Sequence, residues 1–448
     1  MHLSSHRKVP MGAVLFQISL VSVYALSAVT LLYSDSYDLS SDKKTLPLLR
    51  DPNFEIQTVY QGIGFPSAMS FLDANDILVL EKNQGTIKRI VNGTMAGESI
   101  FDAEVSYKDE RGLLGIAISR NSESEHGPSV RDVFLYYTES STGADDSNRE
   151  TLGGRVYKYE FNDNRLTNGE LLLAIPVGLG TNIGYHVGGK LILDSDEKLY
   201  VAVGDMGHQT ETQNIIGEES SGTGVIYRIT KEGQTAPGNP IQAEGLLGKF
   251  YAYGIRNSFG MDFDPVTGAL WDTENGEDHS DEINIVEPGF NSGWSQIQGL
   301  SDLDGDFNES ALMGYDGAGK YSEPEFVWNN TVGPTAIEFL DSEIYGAEYE
   351  NDMFVGDVKY GNLYHFELNG ERNQLELTGA LEDKIANNSE ERELPIFGQN
   401  FGSIVDMTVS PDGYLYILAI TRSDGPMSGL GESDGVGTIY KIVPSEYP

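Results

Sequence analysis

The feature that most constrains this chain is a strand unit that recurs six times along it. Each copy has a short apolar strand, a turn rich in Asp, Gly or Asn, a second strand of alternating large apolar residues, and a third strand ending in an apolar or aromatic residue. The turns and second strands read Asp76-Ile-Leu-Val-Leu, Asp132-Val-Phe-Leu-Tyr-Tyr, Asp196-Glu-Lys-Leu-Tyr-Val-Ala-Val, Thr267-Gly-Ala-Leu-Trp, Asn351-Asp-Met-Phe-Val and Asp412-Gly-Tyr-Leu-Tyr-Ile. Third strands follow at Thr86-Ile-Lys-Arg-Ile, Arg155-Val-Tyr-Lys-Tyr, Val225-Ile-Tyr-Arg-Ile, Glu282-Ile-Asn-Ile-Val, Asn362-Leu-Tyr-His-Phe and Thr438-Ile-Tyr-Lys-Ile. No single unit buries both of its faces, whereas radial stacking hides them between neighbours. The pattern therefore predicts an all-β, six-bladed β-propeller over residues 52–448, with 54–60 closing the ring against the last unit. A β-sandwich or two smaller β-domains would use similar strands, but the repeat runs through without a clear linker.

Ahead of the repeat, residues 11–33 carry no charge and are mostly apolar, with Arg7 and Lys8 before them and Asp35 and Asp38 after. A run this long can cross a bilayer as one hydrophobic helix, and the flanking charges place the rest of the chain outside the cytoplasm. Residues 1–33 are thus read as a signal anchor or signal peptide, and 34–51 as a polar linker. The expected location is extracytoplasmic, either membrane-anchored through this segment or secreted. Ala25-Leu-Ser-Ala offers a small-residue cleavage pattern, but the apolar run is longer than a usual signal core, which favours an anchor.

The formal net charge of −40 argues against nucleic acid as a partner, because phosphate backbones select Lys and Arg. The chain has no Cys, which removes thiolate nucleophiles, disulfides and Cys-ligated metals. No Walker loop, His-Glu-x-x-His or Gly-x-Ser-x-Gly pattern occurs.

In a propeller, residues just before the innermost strand and just after the second strand lie at the same end of the sheet. That rule sets His186 beside Asp205, Arg256 and Asn257 beside Glu274-Asn-Gly-Glu, and Pro334 near Asp357 and Lys359. It also brings Glu110, Arg111, Ser67, Glu81 and Lys82 to the same mouth. A His with a carboxylate partner can act as a general base, although a His in a Gly-rich loop can equally satisfy loop backbone. Arg256 with Lys359 would form a cationic patch for a carboxylate or quinone oxygen; either could instead be held in an ion pair. The segment Glu274-Asn-Gly-Glu-Asp-His-Ser-Asp-Glu concentrates hard oxygen ligands suited to Ca²⁺. Asp302-Leu-Asp-Gly-Asp-Phe-Asn is a second acidic loop, but it lacks the closing Glu of an EF-hand and reads equally as a solvated loop.

An ordered set of segments also resembles one family. The segments are Gly112-Leu-Leu-Gly-Ile-Ala, His186-Val-Gly-Gly-Lys, Val203-Gly-Asp-Met-Gly, Tyr253-Gly-Ile-Arg-Asn-Ser-Phe-Gly-Met, Glu274-Asn-Gly with Asp281-Glu-Ile-Asn, and Gly289-Phe-Asn-Ser-Gly-Trp. Together they resemble the soluble glucose/sorbosone dehydrogenases, or aldose sugar dehydrogenases, over most of the chain after about residue 57. The resemblance implies a six-bladed propeller that uses pyrroloquinoline quinone (PQQ) and Ca²⁺ to oxidise C1 of an aldose to a lactone, passing electrons to an external acceptor. It implies His186 as the base, Asp205 as its holder, and Arg256, Asn257 and Lys359 as cofactor-binding residues. It further implies that the carbonyls of Gly276 and Glu277 bind the cofactor's Ca²⁺, and that Asp281 and Glu282 serve structural calcium.

The chain departs from the family in the last unit, where Ser403-Ile-Val-Asp replaces a usual Arg-x-Arg before Asp. Two cationic contacts to the quinone carboxylates are thereby missing, with Lys82 or Arg111 as replacements. A non-catalytic extracellular propeller that binds calcium and a protein or glycan is the competing expectation, since propellers host many functions.

Overall fold

The computed structural model describes residues 46–120, 130–147, 151–175, 184–207, 214, 221–422 and 435–445. The predicted N-terminal hydrophobic helix and the linker up to residue 45 lie outside the described residues. Among the described residues no helix is long and apolar enough to cross a membrane.

The described residues form an all-β propeller whose strands fall into six sheets. The second and third strands of every sequence repeat pair antiparallel, for example Asp76–Glu81 with Thr86–Val91 and Leu199–Val203 with Val225–Ile229. Alternation explains this: each strand has one row of apolar side chains for each neighbouring sheet. The innermost strands are Pro66–Asp73, Leu113–Ile118, Leu191–Leu193, Ser258–Phe263, Pro334–Phe339 and Ser403–Val409. Each packs against the next, and the last returns to the first, so they line a closed central channel.

The core is distributed between the sheets rather than gathered in one place. Leu78, Leu80, Leu113 and Leu135 fill the gap between the first and second sheets, and Trp271, Phe326, Trp328 and Phe366 that between the fourth and fifth. Each such large side chain, once buried, contributes about 1.5–3 kcal/mol. The ring closes where Phe54–Gly64 pairs antiparallel with Val436–Pro444, joining the two ends of the propeller in one sheet. Leu48–Leu49, within the segment read as a polar linker, forms a short strand on Ile396–Gln399, where Leu49 packs on an apolar cluster.

Carboxylates facing the channel stitch successive inner strands together. Asp262 accepts from the Phe339 amide at 2.8 Å, Glu338 from the Val409 amide at 2.6 Å, and Asp406 from the Met69 amide at 2.8 Å. Lys190 reaches Asp406 at 2.7 Å. Burial lifts the Asp262 carboxyl to about 6, against the pull of the Phe339 and Phe263 amides and of Lys190.

Candidate active site

Short connections before the inner strands bring the predicted residues to one mouth of the channel. His186 lies a few residues before Leu191–Leu193, and Asp205 follows Leu199–Val203. His186 Nδ1 lies 2.6 Å from Asp205 Oδ1. Asp205 is fully buried; its Oδ1 also accepts from the Gly207 amide at 2.7 Å, and its Oδ2 accepts from Trp294 Nε1 at 2.8 Å. With Nδ1–H spent on the carboxylate, the lone pair of the imidazole sits on Nε2, which has no hydrogen-bond partner among the described residues.

His186 adopts φ 56°, a left-handed conformation that a residue with a β-carbon keeps only when its surroundings hold it. Its amide donates to Glu110 Oε2 at 2.7 Å, and its carbonyl accepts from the Met206 amide at 3.1 Å. Asn257 Nδ2 reaches the same Glu110 oxygen at 3.5 Å. The Asn257 carbonyl oxygen Oδ1 is buried without a partner.

Arg256 is held at its backbone, where its amide donates to Glu274 Oε1 at 2.7 Å, and at Nη1, which donates to the Asn275 carbonyl at 2.8 Å. Its guanidinium stacks over the Trp294 ring at 5.4 Å, and its Nε is buried without a partner. Lys359 is half-buried and donates to Thr331 Oγ1 at 2.5 Å.

The calcium-related residues divide. Gly276 sits in a turn so tight that a β-carbon would lie 1.9 Å from the His279 carbonyl oxygen, so only Gly fits there. The Gly276 amide donates to Asp281 Oδ1 at 2.9 Å, and the amide of exposed Glu277 donates to Gln298 Oε1 at 2.6 Å. Asp281 Oδ2 accepts from the amides of Val332 and Gly333 at 2.6 and 2.7 Å, which fastens the loop to the fifth sheet. Asp281 and Glu282 are consecutive in the strand Asp281–Val286 and therefore face opposite sides. Strand alternation thus sends the Asp281 carboxylate to the Gly276 loop and the Glu282 carboxylate to the other face.

Glu282 instead faces Asp272 and Glu274. In the pairing of Leu270–Glu274 with Asp281–Val286, Asp272 opposes Asn284 and Glu274 opposes Glu282. All four are buried. Burial pushes the Asp272 and Glu282 carboxyls up to about 7, and burial together with those two neighbours drives Glu274 well above the usual range. The Asp272 carboxyl is buried with Ser258 and Asn284 as its hydrogen-bonding neighbours, whose pull opposes the rise caused by burial, and Asn284 Oδ1 is buried without a partner. Among the described residues no three His, Asp or Glu side chains close into a complete metal cage; the oxygens here are of mixed carboxylate, amide and hydroxyl type.

A cleft opens between Phe65, Ser67, Lys82, Glu110, Leu114, Gly188, Lys190, Phe259, Val405 and Asp406, and Glu110 joins it to the His186 loop. Val405 presents an apolar side chain here, and Ser403 Oγ donates to the Val358 carbonyl at 2.8 Å. Lys82 Nζ donates to the Asp109 carbonyl at 2.8 Å and to Asn83 Oδ1 at 2.9 Å, and lies 5.2 Å from the Phe65 ring centroid. Burial brings the Lys82 ammonium down to about 7, while Glu110 and Asp109 pull it back up.

Residues 63–427 match the family described as Glucose / Sorbosone dehydrogenase. The chain belongs to the glucose/sorbosone dehydrogenase family. It is 26% identical over 366 residues to aldose sugar dehydrogenase YliI of Escherichia coli (strain K12), covering 81% of this chain and 89% of that one. It is 24% identical to quinoprotein glucose dehydrogenase B of Acinetobacter calcoaceticus, covering 93% and 97% of the two chains. Its fold is shared with the PQQ-bound aldose sugar dehydrogenase of Streptomyces coelicolor, with a TM-score of 0.62, 22% identity and coverage of 89% of this chain and all of that one.

In this family member, His186, Asp205, Arg256 and Asn257 form one connected group, while Gly276, Glu277 and Asp281 belong to the adjoining loop. Trp294 and the anchoring role of Glu110 escaped the sequence reading. A Trp after Gly in a loop carries an N–H that needs a partner once buried, and Gly293-Trp294 in a chain with 3 Trp is such a signal. Glu110, which the sequence set at the channel mouth, lines the cleft.

Proposed function

We propose that this protein is an exported quinoprotein that oxidises the C1 hydroxyl of an aldose to the lactone, with PQQ and Ca²⁺ as cofactors. The observation that carries the reading is the 2.6 Å His186–Asp205 contact at the same mouth as Arg256 and Asn257. The residues present fit the cofactor. Arg256 Nε and Asn257 Oδ1 are buried polar atoms awaiting partners, Lys359 supplies a second cation, and Phe65, Leu114, Phe259 and Val405 offer apolar walls for a flat ring. We read each of the six sheets as one blade.

Bound PQQ would supply the two-electron acceptor for the C1 hydride, chemistry that no side chain provides. His186 takes the hydroxyl proton at Nε2, because Asp205 holds the ring with Nδ1–H turned inward. Asp205 balances the imidazolium so formed, and the Trp294 and Gly207 donors fix the carboxylate. Arg256, Asn257 and Lys359 would hold the cofactor's oxygens. The Gly276 and Glu277 carbonyls would bind its Ca²⁺, while Asp272, Glu282 and Asn284 present buried oxygens to a structural Ca²⁺. Residues 1–33 would tether the propeller outside the cytoplasm, where an external acceptor removes the electrons.

The test is reconstitution with PQQ and Ca²⁺ followed by dye reduction with a panel of aldoses. Activity that His186→Ala abolishes is the expected result, and dye reduction unchanged by that substitution would overturn the mechanism. The apolar Val405 in the cleft favours a second reading, a calcium-binding propeller for a protein or glycan. Failure to bind PQQ in titration with excess Ca²⁺ would select it.

A further inference from the structure

We propose that Glu110 is a positioning residue that sets the orientation of His186, through the hydrogen bond from the His186 amide and the shared contact with Asn257. The proposal rests on His186 being the base of the reaction above. Glu110 precedes the inner strand Leu113–Ile118 of the second sheet, His186 belongs to the third, and Asn257 to the fourth. One carboxylate oxygen therefore receives a donor from each of the two following sheets, at 2.7 and 3.5 Å.

The need for such an anchor comes from the backbone of His186 itself. At φ 56° its peptide is turned out of the broad extended region, and relaxing it would swing the imidazole away from Asp205. The Met206 amide fixes the carbonyl on one side of His186, and Glu110 fixes the amide on the other. Glu110 is itself held: the Gly184 carbonyl accepts from its amide at 2.9 Å, so the carboxylate and the His loop brace each other. Burial pushes the Glu110 carboxyl upward, and its two donors and the charges of His186 and Arg256 pull against that shift. Its acceptor oxygen is what the geometry uses, so a neutral amide oxygen would serve in its place. Asn257 Oδ1, buried without a partner, offers an acceptor for a glutamine N–H if the amide turns.

The test compares Glu110→Gln, Glu110→Asp and Glu110→Ala, checked for a retained melting transition. In the reconstituted enzyme, Glu110→Ala and Glu110→Asp are expected to lower kcat by about 100-fold with KM for the sugar little changed, the cost of misplacing a base by about 1 Å. Glu110→Gln is expected to restore kcat to within about threefold of the parent. Independently of activity, deuterium uptake at the His186 amide should rise in the Ala and Asp variants and stay at the parent level in Gln. A raised KM with unchanged kcat would make Glu110 a substrate ligand and overturn the proposal. So would a Gln variant as impaired as Ala, or exchange at His186 that no variant alters. If the parent itself oxidises no sugar, the function fails, while the exchange measurement still decides the anchoring. If Glu110→Ala does not fold, Glu110→Asp against Glu110→Gln carries both comparisons.

Discussion

Trp294 Nε1 donates to Asp205 Oδ2 at 2.8 Å, on the carboxylate oxygen that His186 leaves free. The same indole lies under the Arg256 guanidinium, so one side chain supports both the His186–Asp205 pair of the proposed mechanism and the cation proposed for the cofactor. Trp294→Phe keeps an aromatic surface for Arg256 and removes only the N–H. Hydrogen bonds to charged groups contribute about 1.5–3 kcal/mol, and kcat in the dye assay is expected to fall by about 10- to 100-fold on that basis.

Asp205→Asn should be more damaging. The carboxylate accepts from His186, Gly207 and Trp294 together, and an amide would turn its own N–H toward one of these donors. The imidazole then loses its enforced tautomer, a change that costs about 10⁴-fold in kcat in a comparable His–Asp pair. PQQ affinity measured by titration should change little, because Asp205 lies behind the base.

Lys82 makes anion binding in the cleft depend on pH. Its ammonium titrates near 7 in the free protein, so a carboxylated ligand meets a charged Lys82 below that value and a neutral one above it. Affinity for PQQ should therefore fall by up to about fivefold between pH 7 and 8, as the charged fraction of Lys82 drops. Lys82→Met should bind more weakly at pH 6 and show a flatter profile, which paired titrations at pH 6 and 8.5 would measure.

Calcium at the Asp272 cluster should raise thermal stability. A site filled at about 100 times its Kd adds about 2.7 kcal/mol, or about 3–5 °C in Tm. Asp272→Asn should abolish this increment with little change in the Tm measured in a chelator, because an amide keeps polar contact with Ser258 and Asn284 and removes a carboxyl that burial already disfavours in its charged form. Differential scanning calorimetry with and without calcium distinguishes the two effects.

The strands and the ends of the sheets were legible because alternation and turn residues are local properties. The pairing of second with third strands in every repeat, the closing strand at Phe54–Gly64 and the meeting of His186 with Asp205 all follow from period and direction along the chain. Glu110 and Trp294 were opaque, since their contacts are with a donor and an acceptor 76 and 89 residues away in sequence. Asp281 and Glu282 are consecutive strand residues and face opposite sides, so the sequence pair divides between the Gly276 loop and the Asp272 cluster.

By itself, then, the sequence determined which segments become strands, which loops meet at one mouth of the channel, and that His186 has Asp205 as its partner. Only the tertiary structure decided what holds that pair in place. Backbone patterning repeats within each sheet, but the hydrogen bonds that orient the base pass between sheets, and their partners are chosen by the closure of the ring.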